Sequence, residues 1–210
     1  MKGYLTMQLI FVRHGESVWN HEGRIQGNAD PPLSERGRAQ AALVAERLAR
    51  EFKPAAVYSS ALQRATETAS LIAARLNMPL KIDARLNEYD IGAFTGLTDR
   101  EVAAQYPDIW ARWEMDALWV PVPGEEGIYA FLDRITRAMD EIIAAHPGGA
   151  EVVVVTHGGV MALYLGDLIG LNPRLRMPWK IDNASISIVE PEGARPRIVR
   201  LNDVGHLSAL

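Results

Sequence analysis

Four consecutive valines at positions 152–155 constrain the fold of this chain more than any other feature of the sequence. They lie within Glu151 to Thr156, and a short run that is apolar on both faces is typical of a strand buried in the middle of a parallel sheet. Two glycines follow and lead into a predicted helix that ends at Leu168. A sheet that is buried on both faces needs helices on both sides, so we expect an α/β fold.

The rest of the chain alternates between short apolar runs and stretches with helical spacing. The runs predict strands over Leu9 to Val12, Ala55 to Tyr58 and Leu80 to Ile82, and a closing hairpin from Ser185 to Val189 and Ile198 to Leu201. Helical periodicity predicts helices over Ser34 to Phe52, Leu62 to Leu76 and Glu125 to Ala145, with a shorter one that starts at a capping box of Thr98 and Glu101. This order indicates a three-layer α/β/α sandwich with a mainly parallel sheet.

Length, charge and cysteine content limit what such a fold can do. The 210 residues are 48% apolar and contain no repeat or linker-like tract, so we predict a single domain over residues 1–210. A net charge of -4 argues against nucleic-acid binding, and any anion site is expected to be a local basic pocket. The absence of cysteine excludes disulfides and thiolate chemistry, and no signal-peptide or membrane-span pattern is present. We therefore expect a cytoplasmic protein.

Charged or polar residues follow every predicted parallel strand. They are Arg13 and His14 after the first strand, Ser59, Ser60 and Arg64 after the second, Glu88 after the third and His157 after the valines. Taken singly, each has an ordinary structural explanation, such as a packed histidine or a solvated arginine. Ligand sites in open parallel sheets lie beyond the carboxyl ends of the strands, so these side chains are expected to share one site.

The set suits phosphoryl transfer. Arg13 and Arg64 offer rigid forks of donors that match phosphate oxygens and stay charged at every working pH. His14 attacks phosphorus through a neutral ring nitrogen, and a cationic surrounding lowers its pKa and favours that form. Protonated His157 would donate to the transferring group. Glu88 would protonate the leaving alkoxide and then deprotonate the hydrolytic water.

A nucleophilic His14 also needs an acceptor for its second ring nitrogen. The sequence offers a backbone carbonyl from the Gly15 segment for this purpose. No carboxylates stand at ligand spacing from the other histidines, so we predict no metal site.

Four motifs occur in order along the chain between about Gln8 and Val189. They are Arg13 to Ser17 with Asn20, Leu62 to Ala65, Glu88, and Thr156 to Gly158. They resemble the histidine phosphatase superfamily, in its phosphoglycerate-mutase-like branch. The resemblance implies a phosphohistidine on His14, a phosphate pocket of Arg13, Arg64 and His157, and Glu88 as proton donor. It further implies contacts to phosphoryl group or substrate from Ser17, Asn20, Gln26 and Gly27, and an activity that needs no metal or organic cofactor.

Within that family, hydrolysis of small phosphorylated metabolites is favoured over a cofactor-dependent phosphoglycerate mutase. The segment between Glu88 and His157 is shorter than in the mutases that it resembles, which predicts a moderate helical cover at about 89–125 rather than a closed lid. The segments 88–96 and 25–27 also resemble the corresponding segments of the phosphatases in this family rather than those of the mutases. Glu126 departs from the serine common in related phosphatases. A catalytically silent phosphate or phosphoprotein binder is the third alternative, and it would have no need of Glu88.

The sequence leaves alternatives for the tryptophans, for Arg24 and for the oligomeric state. The tryptophans Trp110, Trp113 and Trp119 either pack in the core, which is favoured, or wall the substrate site. Arg24 either steers anions toward the site or is simply solvated. A homodimer is compatible with the sequence, which does not determine the oligomeric state.

Overall fold

The computed structural model describes residues 6–175, 178–191, 195–208 and 210. The described residues form one β-sheet. Its six strands are β1 (Gln8–Arg13), β2 (Ala56–Ser59), β3 (Leu80–Ile82), β4 (Glu151–Thr156), β5 (Ile186–Glu190) and β6 (Arg197–Asp203). They lie in the order β3-β2-β4-β1-β5-β6. The valine-rich strand β4 therefore occupies the interior of the sheet, as its sequence predicts.

The first four strands of this order are parallel and the last two form an antiparallel hairpin. Val153 of β4 pairs with Ile10 of β1 on one side and with Val57 of β2 on the other, both in parallel register. β5 runs antiparallel to β1, and β6 runs antiparallel to β5. The predictions of a mainly parallel sheet and of a closing hairpin are confirmed.

Seven helices surround the sheet in the described part of the chain. They are α1 (Val18–His21), α2 (Glu35–Glu51), α3 (Gln63–Leu76), α4 (Asp99–Gln105), α5 (Pro107–Met115), α6 (Ile128–Ala145) and α7 (Gly158–Leu168). Short 3₁₀ turns cover Ala84–Leu86, Gly92–Phe94 and Gly205–Leu207. No helix among these is long and apolar enough to cross a membrane.

Strand alternation divides the core into two layers. Leu9 and Phe11 of β1 join a cluster with residues of α6 and α7, while Ile10 and Val12 join the opposite cluster with α2 and α3. Successive side chains of a strand point to opposite faces, so a strand that is apolar throughout has to be covered on both. The three-layer α/β/α architecture follows from this pattern.

Local signals account for most helix boundaries. The Ser34 hydroxyl accepts the backbone N–H of Gly37 at the start of α2, and Thr98 and Glu101 form the expected capping box at α4. Helix α6 begins at Ile128, so the prediction that it starts at Glu125 is wrong. Gly127 has φ 85°, a left-handed conformation that the helical backbone cannot continue through.

Candidate active site

A cavity of about 500 Å³ lies beyond the carboxyl ends of the parallel strands. Its wall contains four of the side chains that follow predicted strands: Arg13, His14, Arg64 and Glu88. Arg13 ends β1, Arg64 lies in the first turn of α3 after β2, and Glu88 follows β3. These four side chains lie at one edge of the sheet as expected, whereas His157 is not among the residues that line the cavity.

His14 is buried, and both of its ring nitrogens have defined neighbours. Nδ1 lies 2.7 Å from the carbonyl oxygen of Gly15, which can only accept, so Nδ1 carries the proton. Arg64 donates from Nε to Nε2 of His14 at 3.3 Å, so Nε2 holds a lone pair. Burial, followed by the charges of Arg13 and Arg64, lowers the pKa of His14 well below 6.5. The ring is thus a neutral imidazole with an available nitrogen.

The close contact between the His14 loop and α2 requires glycine on both sides. A Cβ on Gly15 would lie 2.4 Å from the carbonyl oxygen of Gly37, and a Cβ on Gly37 would lie 1.9 Å from the carbonyl oxygen of Glu16. Thr68 accepts the backbone N–H of Gly15 at 3.0 Å. These contacts hold the carbonyl of Gly15 where it can orient the His14 ring.

The two arginines are anchored by backbone carbonyls. Arg64 is fully buried and donates from Nη1 to the carbonyl of Ala29 and from Nη2 to that of Gly27. Burial lowers its pKa to about 10, which leaves it charged at neutral pH. Arg13 donates from Nη1 to the carbonyl of Ile181 at 2.6 Å, and its buried Nε has no partner among the described residues. The site therefore concentrates two fixed positive charges beside His14.

His157 lies against His14, with 5.1 Å between the ring centroids. Its Nε2 is 2.7 Å from the Ser60 hydroxyl, which in turn donates to Oδ1 of Asn87 at 2.9 Å. Because that hydroxyl proton is used by Asn87, Nε2 of His157 is the donor in their contact. Nδ1 is buried and lacks a partner within the described residues. Burial, then the charge of Arg64, lowers the pKa of His157 well below 6.5.

Glu88 is held by backbone on both sides of its carboxylate. Oε1 accepts the N–H of Tyr89 at 2.9 Å, and Oε2 accepts the N–H of Gly159 in the first turn of α7 at 3.0 Å. A Cβ on Gly159 would lie 2.4 Å from Oε1 of Glu88. A side chain at this position would push the carboxylate from its place at the start of α7.

The remaining predicted contact residues divide into two groups. Asn20, Gln26 and Gly27 line the cavity. Ser17 is fully buried and lies outside the described cavity wall; its hydroxyl lies 2.7 Å from Oε1 of Gln26 and accepts the N–H of Asn20. Both amide oxygens are engaged by protein, which leaves the two NH₂ groups of Asn20 and Gln26 as the donors for a ligand.

Among the described residues, no group of three or more histidine, aspartate or glutamate side chains could hold a metal ion. Arg13 and Arg64 instead place guanidinium donors at the cavity wall, beside the ring of His14. An arrangement of this kind can bind a dianionic phosphoryl group beside a neutral imidazole.

Nearly the whole chain is similar to known proteins. Residues 9–204 match the family model of the histidine phosphatase superfamily, branch 1. The chain belongs to the histidine phosphatase superfamily. Phosphoserine phosphatase 1 of Hydrogenobacter thermophilus is 37% identical over 201 residues, which cover 96% of this chain and 94% of that protein. Phosphoglycerate mutase-like protein 4 of Arabidopsis thaliana is 38% identical over 204 residues, covering 95% and 86%.

The fold of this chain is also similar to that of a solved structure. The mycobacterial glucosyl-3-phosphoglycerate phosphatase, in complex with VO3, superposes with a TM-score of 0.82 at 32% identity. The match covers 93% of this chain and 98% of the other. The resemblance that the sequence motifs indicate and the phosphoglycerate-mutase-like fold are thereby confirmed.

Several residues that support the site carry no recognisable signal in the sequence. Arg134 of α6 donates to the carbonyls of Arg85, Asn87 and Glu88 and forms a two-point ion pair with Glu126. Glu126 also accepts the backbone N–H of Asp90 and lies outside the described cavity wall. The sequence gives no sign of the role of Arg134, because its backbone partners lie in a loop that is distant along the chain.

Asn183 is a second such residue. Its amide donates to the carbonyls of His14 and Gly15 and to Oδ1 of Asn20. It lies in the loop before β5, where the sequence shows only an ordinary turn composition. The sequence predicts that Ser59 and Ser60 follow β2 at this edge, but the contact of Ser60 with His157 depends on the sheet order.

The open questions about Arg24 and the tryptophans have structural answers. Trp119 lines the cavity, whereas Trp110 and Trp113 pack against the core cluster, so the tryptophans serve both purposes. Arg24 also lines the cavity and donates to Glu22, to Glu101 and to the carbonyl of Gly96. Its charge is paired with carboxylates rather than free.

Proposed function

We propose that this protein is a phosphomonoesterase that hydrolyses small phosphorylated metabolites through a phosphohistidine on His14. The observation that carries the proposal is the tautomer of His14: with Nδ1–H bound to the carbonyl of Gly15, the lone pair of Nε2 is held beside Arg64 at the cavity wall. The relatives named above include phosphatases of phosphoserine and of glucosyl-3-phosphoglycerate, which supports a phosphorylated metabolite as substrate.

In the first half-reaction, Nε2 of His14 attacks phosphorus and the bond from phosphorus to the ester oxygen breaks. Arg13 and Arg64 bind the equatorial oxygens. The bound dianion raises the pKa of His157, which takes up a proton from solvent on Nδ1 and donates a hydrogen bond from it to the phosphoryl group. Neutral Glu88 gives its proton to the leaving alkoxide. The phosphorylated ring keeps its Nδ1 proton, and the carbonyl of Gly15 stabilises the positive charge that results.

In the second half-reaction, water attacks phosphorus and the bond to Nε2 breaks. Ionised Glu88 takes a proton from that water, which restores the neutral acid and releases inorganic phosphate. His14 returns to its starting tautomer because Nδ1 never loses its proton. Asn20, Gln26 and Gly27 complete the binding of the phosphoryl group or substrate, and Ser17 orients the two amides.

We also propose that residues 1–210 act as one domain in which the segment 89–125 covers the site. The sheet joins strands from Gln8 to Asp203, and Tyr89, Ile91 and Trp119 of the cover segment line the cavity, which supports this organisation. The net charge of -4 and the absence of cysteine support a cytoplasmic protein without a nucleic-acid partner.

The nucleophile is tested by trapping the intermediate. After a rapid alkaline quench, intact-mass analysis of enzyme mixed with an aryl phosphate should show one added phosphoryl group. His14→Ala should abolish both the adduct and turnover while the far-ultraviolet circular dichroism stays unchanged. His21→Ala is the matched control, since that side chain is 78% exposed. A full adduct on His14→Ala would contradict the proposal.

The acid role of Glu88 is tested by leaving-group dependence. Glu88→Gln should slow hydrolysis of alkyl phosphates by about 10²- to 10⁴-fold, because the alkoxide needs a proton as it departs. Aryl phosphates, whose leaving groups are stable as anions, should be affected much less. Equal losses for both classes would refute the role.

The mutase alternative has a direct test. The enzyme is incubated with 3-phosphoglycerate and its bisphosphate primer, and 2-phosphoglycerate and free phosphate are both measured. Release of phosphate with little isomer is expected, because the segment between Glu88 and His157 is short for a lid that would protect the phosphoenzyme from water. Efficient isomer formation would replace the hydrolase assignment with that of a mutase.

A further inference from the structure

An apolar wall forms part of the cavity that contains His14. It is formed by Ile25, Ile91, Trp119, Ile128, Phe131 and Leu163. A cavity of about 500 Å³ is in the range that accommodates a whole small-molecule ligand, so a phosphoryl group fills only one end of it. The rest of the space is available to the organic group of the ester.

Part of this wall is a packed aromatic cluster. The Tyr89 ring lies 4.9 Å from Phe131 and 5.4 Å from Trp119, measured between centroids. The Trp119 indole N–H donates to Glu125 at 2.9 Å, so its one polar group is already occupied. Tyr89 and Phe131 are almost fully buried by their neighbours. The cluster therefore presents a rigid, preformed apolar surface.

The charged side chains that the structure describes at the wall already have partners or roles. Among the described residues that line the cavity, the charged side chains are Arg13, Arg24, Arg64 and Glu88. Three of these belong to the proposed phosphoryl site. The fourth, Arg24, is paired with Glu22 and Glu101 at 3.2 and 3.1 Å. A carboxylate on a substrate would have to compete with two carboxylates of the protein for this cation.

We propose that the preferred substrates are phosphate monoesters of apolar alcohols, with an alkyl or aryl group seated against the wall formed by Ile25, Ile128 and Phe131. This inference rests on the proposed phosphatase activity and names the substrate class for the same site. Carboxylated and polyhydroxylated esters are poorer substrates, because their polar groups would lose water against the apolar wall.

The test uses a series of straight-chain alkyl phosphates from ethyl to hexyl. Their leaving alkoxides are almost equally basic, so the chemical step stays the same and only apolar contact changes. Each methylene should raise kcat/KM by about fourfold, the equivalent of about 0.8 kcal/mol, until the cavity is filled. A flat or falling series would overturn the proposal.

A charged partner of equal length sharpens this comparison. We expect 6-phosphooxyhexanoate, which has the same six carbons and a terminal carboxylate, to have a kcat/KM at least about tenfold below that of hexyl phosphate. Equal or faster hydrolysis of the carboxylated ester would show that the cavity binds an acid and would also overturn the proposal.

Two wall variants connect the preference to the cavity. Ile128→Thr keeps the branch at Cβ but removes the terminal methyl group and adds a hydroxyl, so it should reduce the gain in kcat/KM per methylene along the series. Ile25→Thr repeats the test if the first variant does not fold. Val199→Thr, at an exposed position of β6, is the control that should leave the slope unaltered. Identical slopes in all three proteins would contradict the assignment of the wall.

Failure of the inference and failure of the proposed function give different results. Hydrolysis of an aryl phosphate with a trapped phosphohistidine, but with no gain along the alkyl series, leaves the phosphatase standing and removes the apolar substrate class. Absence of both hydrolysis and adduct refutes the phosphatase, and the substrate class with it.

Discussion

Arg64 donates from Nε to Nε2 of His14 over 3.3 Å, and both side chains are buried. The guanidinium therefore recognises the unprotonated nitrogen that attacks phosphorus in the proposed mechanism. Its two other nitrogens are fixed by the carbonyls of Gly27 and Ala29, so the contact is preorganised.

Arg64→Lys is expected to lower kcat/KM by about 10²- to 10³-fold, because lysine keeps the charge but cannot donate in three fixed directions. Steady-state kinetics with an aryl phosphate measures the loss. Arg50→Lys, whose side chain is 75% exposed, is the control and should behave like the parent. Parent-like activity in Arg64→Lys would show that charge alone suffices.

The two buried histidines should resist protonation in the free enzyme. Burial lowers the pKa values of His14 and His157 below 6.5 because it disfavours the charged ring, and the nearby arginines act in the same direction. Nuclear magnetic resonance of ¹³C-labelled histidine should show both rings still neutral at pH 6. The urea-unfolded chain is the reference, since its histidines titrate near 6.5. Titration of either ring at or above 6.5 in the folded enzyme would contradict this.

The same shifts predict how stability depends on pH. The unfolded chain takes up protons on these histidines as the pH falls through about 6.5, whereas the folded protein does so only at lower pH. The stabilisation is therefore complete above 6.5 and decreases as the pH falls toward the folded-state pKa values. Urea unfolding at several pH values should show a smaller decline for His157→Gln than for the parent.

Gly159→Ala is expected to displace the Glu88 carboxylate, since the added Cβ would lie 2.4 Å from Oε1. Hydrolysis of alkyl phosphates should fall by about 10-fold or more, with a smaller effect on aryl phosphates, because proton donation is what suffers. Gly158→Ala is the matched control: its Cβ would meet Arg13 at an ordinary 3.5 Å. Similar kinetics for the two variants would argue against the steric explanation.

Arg134 is expected to stabilise the protein and to position Glu88 through the carbonyls that precede the cover segment. Arg134→Gln should lower the free energy of unfolding by about 2 kcal/mol, because it removes charge-assisted hydrogen bonds from a partly buried pair. It should also slow alkyl phosphates more than aryl phosphates. Arg137→Gln, on the same helix and 69% exposed, should change neither. Unfolding and kinetics of both variants provide the comparison.

The outline of this protein was predictable because its signals are local. The run of valines identifies the central strand, Ser34 and Thr98 mark helix starts, and the residues after each strand identify His14, Arg13, Arg64, Glu88 and His157 as neighbours. Parallel strands bring their carboxyl ends to one edge whatever their order, so this inference did not require knowledge of the topology.

The start of α6 and the roles of Ser17, Ser60 and Arg134 were not predictable in this way. Gly127 ends the preceding loop with a positive φ that helical periodicity does not reveal. Ser60 contacts His157 because β2 lies next to β4, and Ser17 points its hydroxyl at Gln26 because of how the first loop folds. Each of these contacts joins residues whose proximity depends on the complete fold.

The sequence by itself determined the type of fold and the residues that meet at its edge, since periodicity and strand order act over short distances. Tertiary structure decided which nitrogen of His14 is free, how Glu88 is held, and that Arg24 is already paired. The first two properties depend on backbone carbonyls and N–H groups, which every residue but proline has in the same form. Only packing brings a particular one within hydrogen-bonding distance.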